Sequence, residues 1–308
     1  MPRAKPLQRS GPYISENSFG ALVRLFMSPA NPKWSGYTMA TQTGWGSQLR
    51  FMSRPDTLGA LSLDEIRPSL VQAYFDGISD RPGKAQQSLA ALRQLEKWAI
   101  VRELLPRQIT LGIEITRSTG GHIPWTDEQV AIAEANARPD MARAVTLAAN
   151  TGQRGSDLVR MCWTDVEVYS GVRGINVVQM KTGRRVFVPI LPALDAAMQT
   201  WQREPGPFLR RPDGRPWTRK DLTATWSWEC GRNPALAEHR ATPLVLHGLR
   251  GYACVRLRRA GASENQIASM VGMSVPMVGK YCRFSDQREN AIAAVHLLSG
   301  HKPLKNHG

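Results

Sequence analysis

Two short β-rich runs, Gly174-Ile-Asn-Val-Val-Gln-Met-Lys181 and Arg185-Val-Phe-Val-Pro-Ile190, interrupt a chain whose apolar residues otherwise recur at helical spacing. In the second run Val186, Val188 and Ile190 alternate, as a half-buried strand requires. Thr182-Gly183-Arg184 between the runs suits a hairpin turn. Helical patterning resumes at 194–203, 219–230, 247–260, 264–271 and 276–284. The second part of the chain is therefore expected to be a mostly helical domain carrying one small sheet. The first third is helical throughout. Ile66, Leu70, Tyr74 and Phe75 share a helical face within 63–75, and Leu89, Leu92, Leu95 (or Glu96) and Ala99 share one within 84–105. Two further helices are predicted at 14–26 and 37–51, separated by Pro29, Asn31 and Pro32. The expected fold class is mainly α with a small β-sheet (α+β).

The domain division follows from one stretch without period. Residues 106–124 run from Pro106 to Pro124 and hold Gly112, Ser118, Gly120 and Gly121. Directly after it, Thr126 and Gln129 form the two ends of a capping box that opens a new helix. The expected organisation is a helical domain over 1–108, a linker over 109–123, and a second domain over 124–308 ending in a C-terminal helix. No separate domain is read before residue 12.

Charge points to the partner. The 308 residues carry 40 Lys and Arg against 25 Asp and Glu, a net charge of +15, while 42% hydrophobic residues allow real cores. A globular chain with that surplus is suited to a polyanion, nucleic acid above all, although charge also serves solubility. No apolar run reaches the 18 residues a membrane span needs, and no signal region follows the basic N-terminus. Cys162, Cys230, Cys254 and Cys282 form no Cys-x-x-Cys pair, so neither a disulfide framework nor a zinc site is expected. These readings together predict a reduced, cytoplasmic protein with no metal and no cofactor.

Four local patterns carry the chemistry. Thr151-Gly-Gln-Arg154 delivers an arginine to the start of a helix, where its guanidinium fork and nearby N–H donors suit a phosphate. Lys181 ends a strand at the hairpin tip, placed to enter a groove and give up a proton. His247-Gly-Leu-Arg250 sets an imidazole and a guanidinium three residues apart on one helical face. Gly272-Met-Ser-Val-Pro-Met-Val-Gly-Lys-Tyr281 is a turn, with Ser274 as N-cap and Pro276 in the first helical turn, leading to a tyrosine among Lys280 and Arg283. Taken singly, Arg154 also fits a structural pair with Asp157, Lys181 a solvated turn lysine, and Tyr281 a packing residue.

Their order resembles the tyrosine recombinase, or phage integrase, family, most closely over residues 125–287. The resemblance implies that Arg154, Lys181, His247, Arg250 and Tyr281 are catalytic, with Asp157 in support and Arg184, Arg185, Lys280 and Arg283 on DNA. It also implies that the first domain is a core-DNA-binding domain. The implied reaction cuts and rejoins DNA through a 3′-phosphotyrosyl link, needing neither metal nor cofactor, to integrate or excise a mobile element. Implied partners are a double-stranded recombination site, three further copies of the chain in a tetrameric synaptic complex, and an accessory directionality or bending protein. The implied location is the nucleoid. Met273 departs from the pattern: the family usually has His or Trp there, and a thioether cannot donate to a phosphate oxygen. Ser274 is a substitute donor in a shifted match. A non-catalytic DNA-binding relative and a type IB topoisomerase are the alternatives. After Tyr281, Ile292, Val295 and Leu298 recur at helical spacing. That face either caps the chain's own core or, as the resemblance implies, docks on a neighbouring protomer through the tether at 284–287.

Overall fold

The computed structural model describes residues 17–117, 122–238, 244–283, 291, 292 and 295. The basic N-terminus, residues 14–16 of the first predicted helix, the 284–287 tether and Leu298 lie outside the described residues. The chain divides into two compact units, Met1–Gly120 and Gly121–Gly308.

The first unit is built from α1 (Phe19–Phe26), α2 (Pro32–Ser35), α3 (Met39–Met52), α4 (Pro68–Asp76) and α5 (Pro82–Ile100). Ser18 caps α1 by accepting the amide of Ala21, and Asn31 caps α2 by accepting that of Lys33. Phe26 sits edge-on between Trp34 and Trp98, with centroids 5.5 and 5.4 Å away. The expected α5 stripe is buried, and Glu96 goes in with it: its carboxylate takes the amides of Ile109 and Thr110 and the Thr110 hydroxyl. Ile109 and Ile113, from the stretch expected to act as linker, consequently belong to this core.

Three expectations shift at proline or at a helix end. The helix expected over 63–75 begins only at Pro68, whose fixed φ suits the first helical position. Val71 rather than Leu70 is then buried, and Leu70 is 38% exposed. The helix expected to run to 105 stops at Ile100, and Glu103 takes a positive φ of 54°.

The second unit holds α6 (Asp127–Asn136), α7 (Pro139–Thr151), α8 (Gly155–Leu158), β1 (Val166–Tyr169), β2 (Val172–Val178), β3 (Arg185–Pro189), α9 (Pro192–Gln199), α10 (Arg219–Arg232), α11 (Pro234–Ala237), α12 (Gly248–Arg259) and α13 (Glu264–Val271). A further helix, α14, covers 275–283. The Thr126–Gln129 capping box is formed in full. Helix α7 is the spine: Met141, Ala144, Val145, Leu147, Ala148 and Ala149 are buried, and α6, α8, α9 and α12 pack on it. The three strands make one antiparallel sheet in the order β1-β2-β3, with Val166, Ile175 and Val188 in register on its buried face. The fold is thus mainly α with one small sheet.

The hairpin differs from its expected form. Strand β2 ends at Val178, so Lys181 stands inside a turn rather than at a strand end. The turn closes early because the Gln179 amide donates to the Arg184 carbonyl at 2.9 Å, while Gly183, at φ 66°, donates back to Gln179 at 2.8 Å. Among the described residues, no helix is long and apolar enough to cross a membrane.

Candidate active site

Two turns and the start of α12 bring Arg154, His247 and Arg250 near one another. Helix α7 ends at Gly152 in the left-handed region (φ 61°), and an added Cβ there would sit 2.9 Å from Val271 and 3.0 Å from Ala253. The chain then turns, and Arg154 caps α8 half-buried. The second turn, 271–273, follows α13, with Gly272 also left-handed (φ 66°).

Arg250 is 3% exposed on the third residue of α12. Its guanidinium donates to the carbonyls of Gly152, Val271 (3.1 Å) and Gly272 (3.3 Å), tying the two turns together. Arg154 donates to the side chain of Gln179 at 3.0 Å, and Gln179 donates in turn to the Val271 carbonyl at 3.2 Å. Arg184 reaches the same turn and donates to the Met273 carbonyl at 3.2 Å. Two guanidinium groups therefore bond directly to one short run of carbonyls, and Arg154 is linked to it through Gln179. Burial, and then the charge of Arg154, lower Arg250 to about 10, so it stays charged at neutral pH.

Tyr281 lies on α14 with its ring against α12: a Cβ on Gly251 would come within 2.8 Å of it. Burial raises its pKa, and the charges of Arg250 and Arg154 oppose that rise. The phenol and both arginines are thus within electrostatic reach of one another.

His247 is the N-cap of α12, and its ring meets that of His122 edge-on at 4.6 Å. The segment carrying His122 lies across this helix start, where Trp125 donates to the Val245 carbonyl at 3.0 Å. Burial lowers His247 to about 4, with further lowering from His122, Arg250, Arg154 and Arg219. The imidazole is neutral at physiological pH. The sign of the resulting linkage is definite. The unfolded imidazole takes up a proton near 6.5 and the folded one only near 4, so stability is lost as pH falls through that window. The thermal midpoint of the wild type is expected to drop more steeply from pH 7 to pH 4.5 than that of His247→Asn. Parallel profiles would remove His247 as the source.

Several predicted residues stand apart from this cluster. Asp157, 2% exposed, does not receive Arg154; its Oδ1 accepts the backbone amide of Met180 at 2.9 Å, holding the residue before Lys181, and its Oδ2 is buried without a hydrogen-bond partner. Met273 is 6% exposed and packs into a cluster with Cys254, Val271, Val278 and Cys282. Lys181, Arg184, Arg185, Lys280 and Arg283 are exposed. Sequence reasoning missed Gln179, Gln153, His122 and Arg219. Only Arg219 carried a signal, as a cation directly after the N-cap Thr218 of α10. Among the described residues, no group of three or more His, Cys, Asp or Glu is arranged to hold a metal ion.

The family model described as "Phage integrase family" matches residues 128–288. Among solved structures, a lambda integrase dimer bound to a COC′ core site superposes with a TM-score of 0.67 at 18% identity, over 86% of this chain and 77% of that one. A lambda integrase tetramer bound to a Holliday junction gives 0.65 at 18% identity, over 84% and 74%. The Tn1549 transposon integrase in complex with a circular intermediate DNA gives 0.70 at 15% identity, over 86% and 95%. At these identities the likeness is one of fold. No curated protein sequence matches the chain.

Proposed function

The chain belongs to the phage integrase family of tyrosine recombinases, and on that premise we propose that it cuts and rejoins DNA strands at a specific site through a 3′-phosphotyrosyl intermediate. The observation that carries this reading is that Arg154 and Arg250 lie within electrostatic reach both of the Tyr281 phenol and of His247. A tyrosine is a modest nucleophile with an ordinary pKa near 10. The phosphate it attacks has to be made electrophilic, and guanidinium groups held by buried carbonyls do so without reorganising.

In the proposed step the Tyr281 phenol gives up its proton to water, its oxygen bonds to phosphorus, and the bond from phosphorus to the 5′-oxygen breaks. Arg154 and Arg250 bind the non-bridging oxygens, and the neutral His247 imidazole offers both an N–H donor and a nitrogen acceptor. Lys181, carried outward on its turn, gives a proton to the departing 5′-oxygen. Religation reverses these bonds, so the phosphodiester energy is kept in the tyrosyl link. Arg184, tethered at the Met273 carbonyl, places a cation where the methionine side chain turns inward. Together with Arg185, Lys280 and Arg283 it is assigned to the DNA backbone.

The proposed partner is a double-stranded recombination site, and the proposed assembly is a tetramer on two duplexes. Ile292 and Val295 are 51% and 61% exposed, which favours docking of the C-terminal helix on a neighbouring protomer over burial in its own core. Integration or excision of a mobile element, an accessory bending protein and a nucleoid location complete the proposal.

Incubating the full chain with a pool of nicked random-sequence duplexes tests it, because a nick lets the short product diffuse away and traps the enzyme. DNA that stays attached through denaturant, enriched for one sequence, is the expected result. Non-covalent retention alone would favour a DNA-binding relative, and adducts of no shared sequence a topoisomerase. The acid has its own test. Lys181→Ala is expected to slow cleavage of the captured duplex by about 10²–10⁴-fold. Sulfur in place of the bridging 5′-oxygen should restore it, since a thiolate leaves unprotonated. Without selective recovery the acid is another group, Arg184 and Arg185 being nearest on the hairpin.

A further inference from the structure

Gln179 is 0% exposed one residue beyond the end of β2. Every hydrogen-bonding capacity of its side-chain amide is used. Oε1 accepts from Nη1 of Arg154 at 3.0 Å and from the Thr182 hydroxyl at 3.2 Å. Nε2 donates to Oε1 of Gln153 at 2.8 Å and to the Val271 carbonyl at 3.2 Å. The orientation is chemically determined. Gln153 gives its own Nε2 to the carbonyls of Thr151 (3.2 Å) and Val271 (3.1 Å), so its oxygen faces Gln179. A flipped Gln179 would set NH₂ against a guanidinium and oxygen against oxygen.

The backbone of the same residue carries the hairpin turn. Its N–H donates to Arg184 at 2.9 Å, and its carbonyl accepts from Gly183 at 2.8 Å and Thr182 at 3.3 Å. Gly272 closes the enclosure, because a Cβ there would lie 2.3 Å from Gln179 Nε2. One buried amide thus touches the Arg154 guanidinium, the turn that bears Lys181, and the turn from which the Tyr281 helix departs.

We propose that Gln179 is a positioning residue whose side chain fixes Arg154 in one relation to the 271–273 turn. The inference rests on the role proposed above for Arg154. A long arginine side chain samples many rotamers when untethered, and one anchored Nη leaves its remaining N–H donors aimed. The neutrality of the tether matters equally. A carboxylate in this place would hold the guanidinium but cancel the charge meant for phosphate, whereas an amide holds it and leaves that charge whole.

The test compares two scissile groups in the duplex captured from the nicked pool: the natural phosphodiester and a methylphosphonate, which lacks the non-bridging charge. Gln179→Met keeps length and volume but makes no amide hydrogen bonds. It is expected to lose single-turnover cleavage of the phosphodiester by about 100-fold, the scale of a displaced reacting group, with DNA affinity within about threefold of wild type. On the methylphosphonate, where Arg154 has no charge to meet, the loss should shrink to about fivefold or less. Should Gln179→Met fail to fold, Gln179→Glu is measured in the same way. It is expected to show the same selective loss, since its carboxylate neutralises Arg154. Unchanged cleavage of the phosphodiester, or an equal loss on both substrates, would overturn the inference by reducing Gln179 to a packing residue. A wild-type chain that captures no DNA would overturn the proposed function and this inference with it.

Discussion

Arg250→Ala is expected to reduce covalent capture of DNA by about 10²–10³-fold or more, the penalty of losing a donor aimed at transition-state charge, and to destabilise the second unit at the same time. The two effects share one cause. The guanidinium is almost wholly buried and is bonded to the carbonyls of Gly152, Val271 and Gly272. Val271 keeps the side-chain amides of Gln153 and Gln179, but leaving the Gly152 or Gly272 carbonyl dry costs about 1–3 kcal/mol each, less where water enters the vacated space. The turn that carries Arg154 and the turn that leads to Tyr281 would then lose their common tie. Arg250→Lys should recover part of the stability and little of the activity, because an ammonium is a point donor and cannot span three carbonyls and a phosphate. Chemical denaturation and single-turnover capture, measured on the same preparations, check both halves. An alanine variant that captures DNA within about threefold of wild type would remove Arg250 from the chemistry.

Tyr281→Phe is expected to abolish covalent capture while leaving stability and non-covalent DNA binding nearly as they were. The substitution deletes one oxygen and no charge, and the ring keeps its place against Gly251. Because burial outweighs the opposing charges of Arg250 and Arg154, the wild-type phenol is protonated at neutral pH. Deprotonation on attack then belongs to the chemical step, and the capture rate of the wild type should rise with pH above neutrality. A Phe variant that still becomes linked to cleaved DNA would assign the nucleophile to another residue.

What could be read in the chain before its structure was known follows from how local each feature is. The hairpin was legible because its alternation and turn lie within seventeen consecutive residues, 174–190. So was the start of α6, because a capping box is a four-residue signal. Strand β1 was not. Its four residues are mostly exposed, Tyr169 at 68%, and it is held by pairing with β2 rather than by a hydrophobic period of its own. The four chemical patterns were legible as residue types in order, although Lys181 stands in a turn rather than at a strand end and His247 caps α12 rather than lying within it. Their supporting contacts were not legible, because they join distant segments. Gln179 is a polar residue beside a turn, a type usually solvated, and only the approach of Gly272 and Val271 buries it. Arg184 meets the Met273 carbonyl from 89 residues away. His122 lies in a stretch with no periodic pattern and meets His247 only because Trp125 is fastened to the segment before α12. Asp157 was singled out in the sequence beside Arg154, yet its side chain accepts from the hairpin backbone rather than from that arginine.

The central claim is that Tyr281 joins this protein to the 3′ side of a cut DNA strand. Mass spectrometry of the denatured, protease- and nuclease-trimmed complex recovered from the nicked-duplex pool measures that directly. The account predicts a single peptide containing Tyr281 that carries a nucleotide through its 3′-phosphate, with a free 5′-hydroxyl on the released strand. A nucleotide on any other residue, a 5′-phosphate linkage, or unmodified Tyr281 in protein that has cleaved DNA would contradict it.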